Sequence, residues 1–276
     1  MTELTILIVS YNTAGDLERC LDSLLHAPPA ASHEIVVIDN ASRDRSADVV
    51  AGRQARVRLI PLPTNVGFAK ANNAGFRQTQ SELVLLLNSD TIVPAGAVDR
   101  LIRAMRELPG AAVVGPRLVD SHGAAELSFG RMMGPFAELR QKILTRAASR
   151  DRIEDMTSRA QEVDWVSGAC LLVRRSDAEA AGLLDERYFM YCEDVDFCAA
   201  IRRRGGRVYF TPATEVVHLG GRSGRVDRPA TQAAYRQSHL AFYEKHHPGW
   251  APLLRLYLAV QGKLPPKTPD KRGKSQ

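Results

Sequence analysis

Residues 82–90 read ELVLLLNSD, with five apolar residues in succession, Leu83 to Leu87, followed by Asn88, Ser89 and Asp90. A short, unbroken apolar run that ends in turn-forming residues fits a strand buried on both faces of a sheet. Upstream, LTILIVS (4–10), EIVVID (34–39) and VRLIPL (57–62) have the same character. Each is followed by a helical pattern, over 14–26, 44–53 and 67–79, and ELVLLLN itself is followed by one over 95–108. This alternation predicts βαβ units, hence an α/β fold with a mostly parallel sheet and helices on both faces. Ligands of such sheets bind outside the carboxyl ends of the strands. Those ends carry Ser10, Tyr11 and Asn12, then Asp39 and Asn40, then Asn65 and Gly67, then Asn88, Ser89 and Asp90, so four strand ends converge on one crevice.

Downstream, AAVVGP (111–116) predicts a fifth strand, and 117–160 is less regular, with a charged helical stretch over 136–160. VDWVSGACLLVRR (163–175) predicts a buried strand interrupted by Gly168, followed by a short helix over 176–182. A helix over 194–204 opens on an acidic cluster and stops at Gly205 and Gly206, as glycine-capped helices do. Strands at RVYFTP (207–212) and TEVVHL (214–219) and a helix over 229–247 follow.

The 276 residues, 45% hydrophobic and 25% charged, allow one large domain or one domain plus an extension. Cysteines at 20, 170, 192 and 198 form no CxxC pair, which argues against a disulfide framework or structural zinc and fits a reducing cytoplasm. The N-terminal apolar run is too short for a signal-peptide core or a membrane span. A net charge of +6 and a pI near 9.3 point to anionic company: nucleic acid, nucleotide phosphates or an acidic membrane surface. Nucleic acid is the weakest of these, because the arginines are dispersed and aromatic content is only 6%.

Three groups of residues carry candidate chemistry. Asp90 emerges from a buried strand where a hard cation such as Mg²⁺ could be shared with substrate phosphates, although Asn88 and Asp90 suit an Asx-type turn equally well. Asp39 sits where nucleotide-binding sheets place a carboxylate for ribose or base. No G-x-G-x-x-G and no G-x-x-x-x-G-K-[ST] follows the first strand, which argues against a dehydrogenase and a P-loop phosphotransferase. His218 precedes the glycine-rich LGGRSGR, where an imidazole could join Asp90 on a metal while Arg222 and Arg225 close over a diphosphate. A strand histidine bonded to a carbonyl is the plainer alternative. Finally, FMYCEDVDFC (189–198) places Glu193, Asp194 and Asp196 among aromatic residues; the helix dipole favours carboxylates there, and so does a reactive site.

Taken in order, VSYN, DNAS, NVGFAKANNAG, LLLNSD, WVSGACLLVRR, FMYCEDVDFC and HLGGRS resemble the motifs of family 2 inverting nucleotide-sugar glycosyltransferases, most closely the bacterial rhamnosyltransferases, over residues 3–247. The resemblance implies a GT-A type, Rossmann-like fold, a nucleotide-diphosphate sugar donor with dTDP-L-rhamnose leading, and a divalent metal, Mg²⁺ or Mn²⁺. It implies as acceptor a cell-envelope glycan or polyprenyl-linked glycan. By the same resemblance Ser10, Tyr11, Asn12 and Asp39 hold the nucleotide, and Asn65 with Gly67, Phe68 and Ala69 shapes its pocket. Asn88, Ser89 and Arg222 complete the donor side, and Asp90, with His218 as an additional ligand, holds the metal. Asp194 is the implied base, with Glu193 and Asp196 orienting the acceptor or fixing the helix. Trp165, Gly168 and Ala169 resemble the acceptor-side loop, where an aromatic face stacks on sugar or simply packs in the core. Two departures stand out: Asn88 replaces an expected aspartate, and Ala200 replaces an arginine that would pair with Asp196.

The implied organisation is a domain over 1–249, with a nucleotide-binding half to about 116 and an acceptor half from 117, then a basic amphipathic segment and disordered tail over 250–276. That last segment either lies on an anionic membrane, at the inner face of the cell membrane, or packs back onto the domain. Two rival functions remain. A sugar-phosphate nucleotidyltransferase needs a basic glycine-rich loop after the first strand, which SYNTAGDLE does not supply. A non-catalytic nucleotide-sugar binding module would have lost Asp90 or Asp194, and both are present.

Overall fold

A computed structural model describes residues 2–135, 150–220 and 228–265. Arg222, Arg225, most of the charged stretch over 136–160 and the tail from 266 lie outside these residues. The first four strands, β1 (Leu4–Ser10), β2 (His33–Asp39), β3 (Val57–Pro61) and β4 (Leu83–Asn88), are all parallel in the order β3-β2-β1-β4. Their connections contain helices α1 (Ala14–His26), α2 (Ser46–Ala51) and α3 (Phe68–Arg77). The apolar run Leu83–Leu87 is buried on both faces because one face meets α1 and α4 (Ala97–Glu107) and the other meets α3 and the later helices.

Beyond α4 the sheet becomes mixed. After the two-residue β5 (Thr91–Ile92) come β6 (Ala111–Val119), β7 (Ala125–Glu126) and β8 (Phe129–Gly130), and α5 (Arg150–Met156) follows. VDWVSGACLLVRR is more broken than its sequence suggests. It contributes to β9 (Gln161–Val163), β10 (Trp165–Val166) and β11 (Cys170–Arg174), because Asp164 turns its carboxylate to the Met132 N–H at 2.7 Å and to Arg202 at 2.8 Å, outside the ladder. β11 runs antiparallel between β4 and β6. The two strands expected at 207–219 are one, β12 (Arg207–His218), whose register slips between Thr211 and Glu215. Pro212 lies in that slip and has no N–H for the ladder. β12 is parallel to β6 and antiparallel to β5 and β9. The boundary expected near 116 falls inside β6, a strand in the middle of the sheet, so both halves share one sheet.

Helices α6 (Arg175–Ala181), α7 (Glu193–Arg202), α8 (Arg228–His246) and α9 (Ala251–Val260) complete the chain. α7 ends as its glycines predict: Gly205 takes φ +90° and the Gly206 N–H donates back to Ile201 O at 3.2 Å.

One contact ties the two ends of the crevice together. Gly67 adopts φ +86°, and the next amide, Phe68 N–H, donates to Phe189 O at 2.7 Å. A Cβ on Gly67 would collide with that carbonyl oxygen and with the Phe189 ring. Gly67→Ala is therefore expected to lower stability by about 1–3 kcal/mol, from the left-handed backbone and the clash together, read as a lower urea midpoint at constant m-value.

Candidate active site

On the donor side, strand register aligns the polar ends: Ser10 lies opposite Asp39, and Val9 opposite Asn88. A chain of hydroxyls links them, Ser10 Oγ to Thr13 Oγ1 and Thr13 Oγ1 to Ser89 Oγ, each at 2.9 Å. Asn12 takes φ +56°, accepts the Arg43 N–H at 2.7 Å and donates its own N–H to Ser42 Oγ at 3.0 Å. Its left-handed conformation, which asparagine tolerates, locks the turn after β1 to the turn after β2. Tyr11, between these fixed residues, remains exposed. Asp39 is buried and accepts the Ser42 N–H at 3.3 Å.

Asn40 is the residue that sequence reasoning undervalued. Its amide donates to Asn65 Oδ1 at 2.9 Å and accepts the Val66 N–H at 2.9 Å, while Asn65 Oδ1 also accepts the Gly67 N–H at 3.0 Å. The DN dipeptide after β2 was its only signal. Ala69 points away from the crevice, fully buried in the core with Leu7, Val36 and Ile38, so of the GFA turn only Gly67 and Phe68 face the loops that carry Phe189 and Gly168.

Asp90 and His218 do come together. Leu219 N–H donates to Asp90 O at 2.8 Å, and His218 Nε2 lies 3.5 Å from Asp90 Oδ1. The other ring nitrogen, Nδ1, lies 3.1 Å from Glu126 Oε2. Burial alone would lower the imidazole pKa, but hydrogen bonds to and charge on Asp90 and Glu126 outweigh it and push it up to about 9. Glu126 was missed because it sits on a two-residue strand in a stretch without periodicity. An oriented imidazole backed by a carboxylate is the usual arrangement of a metal-ligating histidine. Among the described residues no group of three or more His, Cys, Asp or Glu side chains is arranged to hold a metal alone.

The acidic cluster divides into three separate environments. Asp194 is half-buried; its Oδ2 accepts the Gly168 N–H at 3.0 Å and its Oδ1 accepts the Val195 N–H at 2.8 Å. Burial raises its pKa, and the two backbone donors hold the rise back. Phe68 stands beside it: a Cβ on Gly168 would lie 3.4 Å from Asp194 Cβ and 3.5 Å from Phe68 Cε1. The next residue, Ala169, accepts the Asn88 N–H at 2.9 Å, so an unbroken series of contacts runs from Asp194 to the end of β4. Glu193 is buried, with its Oε2 unpartnered among the described residues, and burial followed by the Asp194 charge raises its pKa strongly.

Asp196 requires a correction. It is only 1% exposed, and it accepts Lys245 Nζ at 2.8 Å, His246 Nε2 at 2.6 Å and the Tyr188 hydroxyl at 3.3 Å. It faces α8 and not the crevice; Lys245 supplies the cation that Ala200 does not, and His246 adds a ring-nitrogen hydrogen bond. Trp165 likewise supports the loop: its indole N–H donates to Arg131 O at 2.9 Å and its ring edge packs on Gly130.

A family model for glycosyl transferase family 2 matches residues 5–181. The chain is 32% identical to the N-acetylglucosaminyl-diphospho-decaprenol L-rhamnosyltransferase of Mycobacterium tuberculosis, over 95% of this chain and 92% of that one. Among solved structures, the mannosyltransferase PcManGT of Pyrobaculum calidifontis, in complex with GDP-Man and Mn²⁺, superposes with a TM-score of 0.61 at 19% identity, over 95% of this chain and 72% of that one. GalNAc-T7 with UDP, GalNAc and Mn²⁺ gives 0.60 at 16%, over 98% and 60%. These likenesses establish a GT-A type fold with a mixed, mostly parallel central sheet.

Glu193 gives a pH test. A carboxyl whose folded pKa is raised favours the folded state most below its unfolded pKa and loses that contribution as pH rises towards the folded value. Glu193→Gln removes this loss, so the variant gains stability relative to the parent as pH is raised from about 4 to about 7. Urea titrations at the two pH values check it; a constant difference would mean that Glu193 stays charged when folded.

Proposed function

This chain belongs to glycosyl transferase family 2, and from that premise we propose that it transfers a sugar with inversion from a nucleotide-diphosphate donor to an acceptor hydroxyl, with Asp194 as the base. The observation that carries this reading is the Asp194 carboxylate, pinned by Gly168 and Val195 beside Phe68 at the junction of the donor turn and the acceptor loop. Each of its oxygens accepts one backbone N–H and retains capacity for a second hydrogen bond, as a base receiving a hydroxyl proton requires. Beside it, Glu193 is buried, and burial followed by the Asp194 charge raises its carboxyl pKa. Asp196 acts indirectly, by fixing α7.

The residues at the end of β4 fit a divalent cation. Asp90 offers a carboxylate, and His218, once a cation displaces the proton that Asp90 and Glu126 favour, would offer an imidazole oriented by Glu126; the donor diphosphate would contribute the remaining oxygens. Such a cation would offset the charge of the departing diphosphate. Ser10, Tyr11, Asn12, Asp39, Asn65, Asn88 and Ser89 would surround the nucleotide. The leading donor is dTDP-L-rhamnose and the leading acceptor a polyprenyl-linked or other cell-envelope glycan. The support is 32% identity to the mycobacterial rhamnosyltransferase, over 95% of this chain and 92% of that one. No helix among the described residues is long and apolar enough to cross a membrane; the proposed location is cytoplasmic, at the inner membrane face.

The test supplies dTDP-L-rhamnose and a synthetic N-acetylglucosaminyl-diphospho-polyprenol, and follows both nucleotide release and the configuration of the product. Asp194→Asn is expected to slow transfer about 10²–10⁴-fold with nucleotide binding intact; transfer near the parent rate would remove Asp194 from the role of base, and retained configuration would exclude inversion. Asp90→Ala and His218→Ala are expected to weaken Mn²⁺-dependent nucleoside diphosphate binding, Asp90→Ala more, since it removes a negative ligand. Affinity indifferent to EDTA in the parent and both variants would reject the cation.

A further inference from the structure

Lys245, near the end of α8, reaches both ends of the loop that leads into α7. Its ammonium donates to Asp185 Oδ2 at 2.7 Å and to Asp196 Oδ2 at 2.8 Å. Between those two carboxylates in the sequence lie Phe189, whose carbonyl receives the Phe68 amide of the donor turn, and Asp194. One side chain therefore closes the stretch that carries both the donor contact and the proposed base. Burial alone would raise the Asp185 carboxyl pKa, but hydrogen bonds from Lys245 and Arg187 and the lysine charge outweigh it and hold it below its ordinary value, so this arm of the bridge is ionic at neutral pH.

The loop needs such a tie. Tyr191 and Cys192 hold φ at +69° and +63°, conformations that cost free energy in residues with a Cβ and persist only under external contacts. From α3, Asn73 fixes the start, exchanging hydrogen bonds with the Leu184 backbone at 2.8 and 3.1 Å. From α8, Ser238 Oγ donates to Met190 O at 2.7 Å, and Phe242 packs with Tyr188, both rings fully buried. The donor turns, in contrast, are held by bonds among Asn12, Arg43, Asn40, Asn65 and Val66 that do not involve α8.

We propose that Lys245 is a positioning residue for transfer: by bridging Asp185 and Asp196 it clamps the loop over 185–196, so that Asp194 and the Phe189 carbonyl keep fixed places against the donor turn. The inference rests on the reading of Asp194 as the base, but the clamp itself is measured without substrate. A cavity of about 320 Å³ adjoins Lys245, lined also by Ala200, Asp185 and Asp196, and gives a guanidinium room at this position.

The experiment compares Lys245→Met, Lys245→Arg and Asp185→Asn with the parent by amide hydrogen exchange and by transfer kinetics. In Lys245→Met, amides over 185–196 are expected to exchange about tenfold faster or more, with those of β1 and β4 unchanged. Its kcat should fall about 10–100-fold, since a small displacement of a reacting group costs that much. Nucleoside diphosphate affinity should stay within about twofold of the parent, a split that general loss of folding would not produce. Lys245→Arg, which keeps a cation with several donors, should preserve slow exchange and most of the rate. Asp185→Asn leaves Asp196 paired and breaks one arm only, so it decides the matter by the same two readouts if Lys245→Met does not fold. Unchanged exchange over 185–196 overturns the proposal, as does faster exchange with the parent's kcat, or an equal loss of kcat and nucleotide affinity. A parent that transfers no sugar would remove the reading of function, while the exchange comparison would still decide the clamp.

Discussion

The hydrogen bond from the Gly168 amide to Asp194 is the constraint on which the site rests. It fixes the first turn of α7 against a loop whose next carbonyl, Ala169 O, receives the Asn88 amide at the end of β4. A carboxylate near the start of a helix is favoured by the dipole, and burial opposes its charge. Two backbone donors reconcile the two, so an ionisable group stays at the junction, with no salt bridge to it among the described residues. The contrast with Asp196, two residues on, is instructive. There a lysine and a histidine take the carboxylate oxygens, and the charge serves architecture instead.

Segments distant in sequence are assembled through backbone polar groups more than through side-chain packing. Phe189 O receives Phe68 N–H, Asp90 O receives Leu219 N–H, and Asn40 spans the turn after β3. Buried N–H and C=O groups demand partners, so these bonds hold the loops at fixed distances even where side chains are small. The loop over 183–192 tolerates unusual backbone for the same purpose: Leu183, Tyr191 and Cys192 all have φ between 63° and 69°. Such conformations persist where surrounding contacts over-determine them.

Much of the sheet was legible in the sequence because three of its first four strands, β1, β2 and β4, are short, mostly apolar runs ending in polar residues and alternate with helical patterns. α1, α3 and α7 lie within a residue or two of their expected limits. What periodicity could not show was pairing: that β11 would insert antiparallel between β4 and β6, or that 207–218 would remain one strand through a register slip. Of the site, Asp90 and His218 meet as their strand positions suggested, and Asn40 showed only as a polar strand end, whereas Glu126 and the partners of Asp196 were invisible. Those are brought in from elements that carry no local signal of their role. Ala200 was read as a missing ion pair; the lysine and histidine that bond Asp196 instead come from 49 and 50 positions after it.

That separation also bears on how the molecule is made. Until Lys245 has been synthesised, Asp196 lacks the ammonium that bonds it in the folded protein, and a carboxylate without a hydrogen-bonded partner resists burial. At about 5–20 residues per second, the gap of 49 residues takes roughly 2 to 10 seconds to translate. During that interval the donor half of the sheet, whose four parallel strands are complete by Asn88, has every partner it needs, while α7 does not. Burial of Asp196, and with it the contact of α7 with α8, therefore depends on side chains placed far downstream of it.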